Sequence, residues 1–224
     1  MKVYQVEISN YCNLECVYCP HPHQTRKKGF MSFKTFKDAV ELVIRCEQKE
    51  IYLHNFGEPL LHPDIILFIN YSIEKGLIPN FFTNGVLLDL DTARKLYDAG
   101  LRHISISEHT NGEIDRIKAL LVENSINIEI THFFRKSDKK HNWANQTKTK
   151  DKFAYSSSNN QSCIFERQNA FVILWNGKIN TCCIDVNGID ENISIESILN
   201  GERYIFRPIA LCSTCNLMRG EEVL

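Results

Sequence analysis

The sequence predicts an α/β protein: an open, partial barrel of parallel strands with covering helices, followed by a small C-terminal unit made of a β-hairpin and a short helix. Three observations lead there. Over roughly the first 130 residues, short apolar runs alternate with longer amphipathic ones, the pattern of βα units whose strands lie parallel. The texture then changes, and Lys, Asn, Ser and Thr dominate from Phe134 to Ser162. Beyond that, Asn176-Gly177 separates two strand-like runs, the strongest short-range hairpin signal.

Val3–Ser9 alternates as a strand does. Ser32–Cys46 reads as a helix with Ser32 as N-cap and Phe33, Phe36, Val40, Val43 and Ile44 on one face. Ile51–Asn55 is a short strand, Asp64–Lys75 a helix ended by Gly76, and Asn80–Phe82 the third strand. Asp89–Ala99 is a helix closed by Gly100, Arg102–Ser107 the fourth strand, Gly112–Asn124 a helix and Ile126–Thr131 the fifth strand. Five strands are too few to close an eight-stranded barrel, so an open one is expected over residues 1–133. Residues 134–162 read as a linker with room for one extra strand. Residues 163–224 form the last unit, with Ala170–Trp175 and Lys178–Cys183 as the hairpin and Ser194–Leu199 as a helix capped by Ser194. So small a unit needs a staple such as a metal centre.

The 224-residue chain is 43% hydrophobic and 24% charged, with a net charge of −1. That balance is ordinary for a soluble globular protein and gives no reason to expect nucleic acid or an anionic membrane as a partner. No apolar run is long enough for a membrane-spanning helix, and Met1–Glu7 lacks a signal-peptide core, so a cytoplasmic protein is expected. Nine cysteines in such a chain point to metal or catalysis rather than to disulfides.

Cys12, Cys16 and Cys19 form C-x3-C-x2-C directly after the first strand. Three thiolates on one loop can hold three irons of a 4Fe–4S cube and leave the fourth open for a small ligand. The alternative is zinc with His21 or His23 as fourth ligand. Context favours the cluster, because the loop leaves the C-terminal rim of the strands, where α/β barrels place their active sites. Phe56-Gly57-Glu58-Pro59, Thr83-Asn84-Gly85, Ser107-Glu108-His109 and Thr131-His132 follow later strands to the same rim.

These motifs resemble the radical S-adenosylmethionine (SAM) family: the cysteine triad with Tyr18 before its last member, and Phe56-Gly57-Glu58-Pro59 in place of that family's glycine-glutamate motif, with Phe56 where a first Gly is usual. The resemblance implies that Cys12, Cys16 and Cys19 ligate the cluster, that SAM chelates its free iron, that Tyr18 lies near the adenine, and that Gly57 and Glu58 meet the methionine ammonium. It also implies SAM contacts for Ser105 and Ser107, and a 5′-deoxyadenosyl radical that takes hydrogen from substrate. An electron donor such as flavodoxin or ferredoxin is then required.

Cys163, Cys182, Cys212 and Cys215 would close one all-cysteine site. The arrangement resembles the Twitch domain, a shortened SPASM domain carrying an auxiliary 4Fe–4S cluster; the spacing from Gly177 matches Cys182 rather than Cys183 to that pattern. A structural zinc ribbon is the alternative. Within this group, Tyr18-Cys19-Pro20, Phe56–Leu61 and the Thr-Asn-Gly run resemble the butirosin-type inosamine dehydrogenases. That likeness implies oxidation of a small alcohol or aminocyclitol, with the auxiliary cluster taking the second electron. Glu108, His109, His132 and Arg135 are candidates for the proton acceptor. His54 and His62 flank the Glu58 loop as supports, and Arg26-Lys27-Lys28 reads as a solvated basic loop. Two other functions compete: a maturase acting on a ribosomal peptide, and a non-catalytic zinc module. The first strand starts at residue 3 with no peptide-recognition segment before it, which favours a small substrate.

Overall fold

The structure, a computed structural model, describes residues 1–109, 112–134, 143–147, 163–188 and 193–215. The strands and helices are β1 (Lys2–Val6), α1 (Phe33–Arg45), β2 (Glu50–Tyr52), α2 (Ile65–Glu74), β3 (Ile78–Asn80), β4 (Phe82–Thr83), α3 (Leu90–Asp98), β5 (His103–Glu108), α4 (Glu113–Glu123) and β6 (Glu129–Phe134). After them come α5 (Ile164–Gln168), β7 (Ala170–Ile173), β8 (Ile179–Asn180) and α6 (Ile195–Leu199).

All pairings among β1 to β7 are parallel: β2 with β3, β4 with β5, β5 with β6, and β1 with β7. β3 and β4 are one strand interrupted at Phe81, which turns the chain from β2 to β5. Hydrogen bonds from Leu53 N to Asn80 O (2.7 Å) and from Ser105 N to Phe81 O (3.1 Å) carry the pairing across the break. Between β1 and β2 a side chain takes the place of a ladder. The Gln48 amide donates to Val3 O (2.9 Å) and accepts from Val3 N (2.7 Å), satisfying both backbone groups of the splayed strand.

Helices cover one face of this layer. Phe36 of α1 and Phe68 of α2 stack with centroids 4.0 Å apart, within a core that also takes Ile104 and Ile106 of β5 and Ile114 and Ile117 of α4. The expected caps form: the Ser32 hydroxyl accepts from Thr35 N (3.1 Å), and Ser194 caps α6 in a capping box. The fifth strand starts at Glu129 rather than at Ile126. Ser125 turns left-handed (φ +54°), and the N–H groups of Ile126 and Ile128 bond to Leu121 O and Ile126 O, so both residues serve the exit from α4.

The expected hairpin is present: β7 pairs antiparallel with β8 around Gly177, whose φ is +81°. β7 also pairs with β1, from Lys2 opposite Ala170 to Val6 opposite Ile173. The hairpin therefore extends the main sheet. Burial on both faces accounts for the unbroken apolar run in β7. Among the described residues no helix is long and apolar enough to cross a membrane.

Candidate active site

The chain leaves β1, and an isolated bridge between Ser9 and Phe30 closes a long loop at its neck. Asn10, fully buried at that neck, ties the loop shut. Its amide donates to Gln24 Oε1 (2.7 Å) and Lys27 O (3.0 Å) and accepts from Gly29 N (2.7 Å), while its carbonyl is bonded by His21 Nε2 (2.9 Å). The sequence reading missed Asn10. The signal was there, since an amide at the mouth of a long loop offers a donor and an acceptor in one rigid group.

Cys12, Cys16 and Cys19 stand on this loop and line one cleft of about 170 Å3. Burial pushes the Cys12 thiol up. Among the described residues no three His, Cys, Asp or Glu side chains converge as ligands of one metal ion; what the three cysteines share is the wall of one cleft. Thiols not tied up in disulfides, in that position, are the donor type an iron–sulfur cluster takes.

Gly57 and Glu58 form the facing wall. Gly57 has φ +107°, and a Cβ there would lie 2.5 Å from Ser9 O, 2.8 Å from Tyr11 O and 2.9 Å from Asn10 Cα. Only a bare backbone lets the next residue bond Glu58 N to Tyr11 O (2.7 Å). The Glu58 carboxylate is 1% exposed and accepts from Thr83 Oγ1 (2.7 Å), Asn84 N (2.8 Å) and Leu60 N (3.0 Å). Burial raises its pKa against the pull of those bonds. Glu58 thus clasps the β2 loop to the end of β4, and Asn84 continues the clasp to Asn13 on the cysteine loop (2.8 Å).

Tyr18 lines the cleft beside His109; their rings stack with centroids 5.8 Å apart, and the Tyr18 hydroxyl hydrogen-bonds His109 Nδ1. Cys16 Sγ lies 3.7 Å from the same nitrogen. Glu108 and His132 sit elsewhere. They bond to each other (2.9 Å) on the face of β5 and β6 shared with Ile104 and Ile106, and Glu108 also accepts from Ile114 N at the start of α4 (3.4 Å). Ser105 and Ser107 point to the opposite, barrel-side face and are buried. Arg135 lies outside the described residues. His62 is the support expected, bonded to Met31 O (2.9 Å) and Asp64 N (3.0 Å).

Arg26 corrects the sequence reading of a solvated basic loop. Its guanidinium forms a two-pronged ion pair with Glu7, at 2.6 Å for Nη1 to Oε1, and its Nε donates to Val186 O (2.8 Å). The pair is buried because Glu7 follows β1 inside the fold, and an acid there needs a partner. Gln24 and Thr25 also bond Val186 and Asn187, so the cysteine loop is knit to the C-terminal segment.

In that segment Cys163, Cys182, Cys212 and Cys215 line a second, apolar pocket with Phe165, Ile184 and Phe206. Cys183 packs nearby without forming its wall. A hydrogen bond with Cys183, then burial, holds the Cys182 thiol well above the usual range; burial first, then the nearby Cys182 and Glu166, raises Cys163 and Cys212. Asn180 shapes the turn by donating to Cys182 O (3.0 Å) and Asp185 O (2.9 Å). Trp143 reaches the first cleft against Phe56, while its neighbour Ala144 packs with the second group of cysteines.

Residues 6–145 match the model of the radical SAM superfamily. The chain is 30% identical over 103 residues to a PqqA peptide cyclase of Rhodopseudomonas palustris, covering 46% of this chain and 27% of that protein. It is 28% identical over 113 residues to an S-adenosyl-L-methionine-dependent 2-deoxy-scyllo-inosamine dehydrogenase of Niallia circulans, covering 49% and 45%. Each alignment thus spans less than half of the curated relative. A crystal structure of BtrN in complex with AdoMet and 2-DOIA shares the fold, with a TM-score of 0.70 at 21% identity over 88% of this chain and 80% of that one. The family match, running from the end of β1 through the cleft to Trp143, takes in well over half the chain, which belongs to the radical SAM superfamily: enzymes that work with a 4Fe–4S cluster and SAM.

Proposed function

We propose that this chain is a radical SAM oxidoreductase that removes a hydrogen from a C–H bond of a small alcohol or aminocyclitol-like substrate. The observation that carries the reading is the pairing of two cysteine sites. Cys12, Cys16 and Cys19 share a cleft with Gly57 and Glu58, and a four-cysteine apolar pocket is clasped to the same loop through Arg26. Cys12, Cys16 and Cys19 would hold the SAM-binding cluster, and Cys163, Cys182, Cys212 and Cys215 an auxiliary 4Fe–4S cluster. When bound, these groups supply a hydrogen-abstracting radical and a sink for a second electron.

The chain's own residues supply position and dryness. Gly57 brings the β2 loop against the cysteine loop, and Glu58 fixes that loop to β4, so the methionine end of SAM meets a preformed wall. Tyr18 offers a flat ring and a backbone edge to adenine. Among the proton-acceptor candidates that the described residues include, His109 borders the cleft, and we assign it that role. Ser105 and Ser107 sit one layer deeper, on the barrel side. Trp143 and Phe56 pack together on the cleft wall and present apolar surface to it. The identity to the inosamine dehydrogenase supports the substrate class, and a flavodoxin- or ferredoxin-type donor is the partner the chemistry requires.

The test is anaerobic turnover of reconstituted protein with SAM, dithionite and 2-deoxy-scyllo-inosamine. Production of 5′-deoxyadenosine together with a ketone supports the reading; 5′-deoxyadenosine without any oxidised polyol across an aminocyclitol and inositol panel refutes it. A second reading, a peptide maturase, is favoured by the 30% identity to the PqqA peptide cyclase. It predicts that a short peptide encoded beside this chain, and no polyol, is the species modified. The family match sets aside the non-catalytic zinc module.

A further inference from the structure

Next to the cleft, His54 carries a buried hydrogen-bonding atom without a partner, and among the described residues so do its neighbour Gln5, at Oε1, and His21, at Nδ1. His54 follows β2, lines the cleft, and packs its ring against Phe82 with centroids 4.7 Å apart. Its Nε2 lies 2.8 Å from Gln5 Nε2, yet its Nδ1 is buried and bonds to nothing among the described residues. An unpaired buried polar atom costs about 1–3 kcal/mol, so a fold retains one where something else completes it.

The chemistry of the missing partner follows from the pair. An amide nitrogen only donates, so His54 Nε2 accepts and the imidazole proton sits on Nδ1; turning the Gln5 amide over would reverse both roles. A hydroxyl, which donates and accepts, satisfies Nδ1 in either arrangement. An ammonium only donates and a carboxylate only accepts, so each satisfies Nδ1 in one of the two arrangements alone. Burial lowers the His54 pKa to about 3, so the ring is neutral throughout the physiological range and offers a charged group no ion pair. Gln5, on β1, fixes the ring.

We propose that His54 is a substrate-binding residue whose Nδ1 hydrogen-bonds one uncharged hydroxyl of a polyol-like substrate, with Gln5 as its positioning residue. This rests on the small-alcohol reading above and narrows it, since the wall around His54 selects for hydroxyl.

The experiment measures binding of 2-deoxy-scyllo-inosamine and of myo-inositol to the reconstituted, SAM-loaded protein by calorimetry, alongside iron content and SAM affinity. His54→Phe keeps the ring and removes the bond; binding of the tighter probe is expected to weaken about tenfold, with iron and SAM affinity unchanged. His54→Asn, which keeps a donor and an acceptor, restores part of the affinity. Gln5→Met, remote from the cysteines, weakens the same probe several-fold and serves if His54→Phe loses iron. Unchanged probe binding in His54→Phe, or in Gln5→Met where that variant serves, overturns the subsite and leaves the oxidoreductase reading standing. A parent that binds SAM but neither polyol overturns the substrate class and the subsite with it.

Discussion

Replacing Arg26 with Met keeps most of its aliphatic bulk and leaves Glu7 without its cation. Side-chain exposures of 8% for Arg26 and 0% for Glu7 put the pair out of reach of water, so solvent cannot stand in for the guanidinium. Asn55 Nδ2, at 3.2 Å, is the neighbouring side chain still bonded to the carboxylate. Breaking one side of a buried, hydrogen-bonded ion pair costs about 3–5 kcal/mol. At a urea slope of roughly 2–3 kcal/mol per M, the midpoint would fall by about 1–2 M. Glu7→Gln/Arg26→Met removes the stranded charge and should recover about half of that loss. The deficit also depends on pH. Burial holds the Glu7 carboxyl above its usual range even with Arg26 beside it, and losing the cation raises it further. The folded variant then binds a proton that the unfolded chain has released, so its stability falls as pH rises from the unfolded carboxylate value, and the Arg26→Met deficit should shrink from pH 8 to pH 5. Urea melts of parent, both single variants and the double variant at those pH values provide the assay. A loss below about 1 kcal/mol for Arg26→Met, or a deficit that grows toward acid, would refute the reasoning.

Gly57→Ala forces a Cβ to within 2.9 Å of three backbone atoms at a φ of +107°. A stability loss of about 3 kcal/mol or more, with reduced iron retention at the cysteine loop, is expected from thermal melts and iron assays; a change below about 0.5 kcal/mol would show that the β2 loop does not press on the cysteine loop. His54 is neutral in the fold, with a pKa of about 3, against about 6.5 in the unfolded chain, so it opposes folding as pH falls below that unfolded value. Between pH 7 and pH 5 this group should remove about 2 kcal/mol of stability. His54→Phe should lack that share, and an equal slope in parent and variant would contradict the burial of the ring.

Much of this fold is legible from periodicity. Helix caps at Ser32, Asp89 and Ser194 form where short polar side chains precede amphipathic runs, because a cap is decided within four residues. Of the site, the cysteine spacing and the Phe56–Pro59 run were readable as chemistry, since thiols at a strand end have few other uses. The rest depends on distant partners. β7 was readable as one arm of a hairpin, while its pairing with β1 joins residues 2–6 to residues 170–173. The clue was the unbroken apolar run Ala170–Ile173, which a strand buried on both faces requires. Arg26 looked solvated because charge runs commonly are; its partner Glu7 comes 19 residues earlier, just past the end of β1. Glu108 and His132 were expected at the rim with the cysteines, but the pleat sends them to the helix side, and a shift of one position along a strand decides the face.

The most direct test of two cysteine sites is the iron and acid-labile sulfide content of anaerobically reconstituted protein, with and without Cys12, Cys16 and Cys19 all changed to Ala. Two four-iron clusters predict about eight irons in the parent and about four in the triple variant. About four in the parent and none in the variant would contradict the auxiliary site, and zinc in place of iron would contradict the account as a whole.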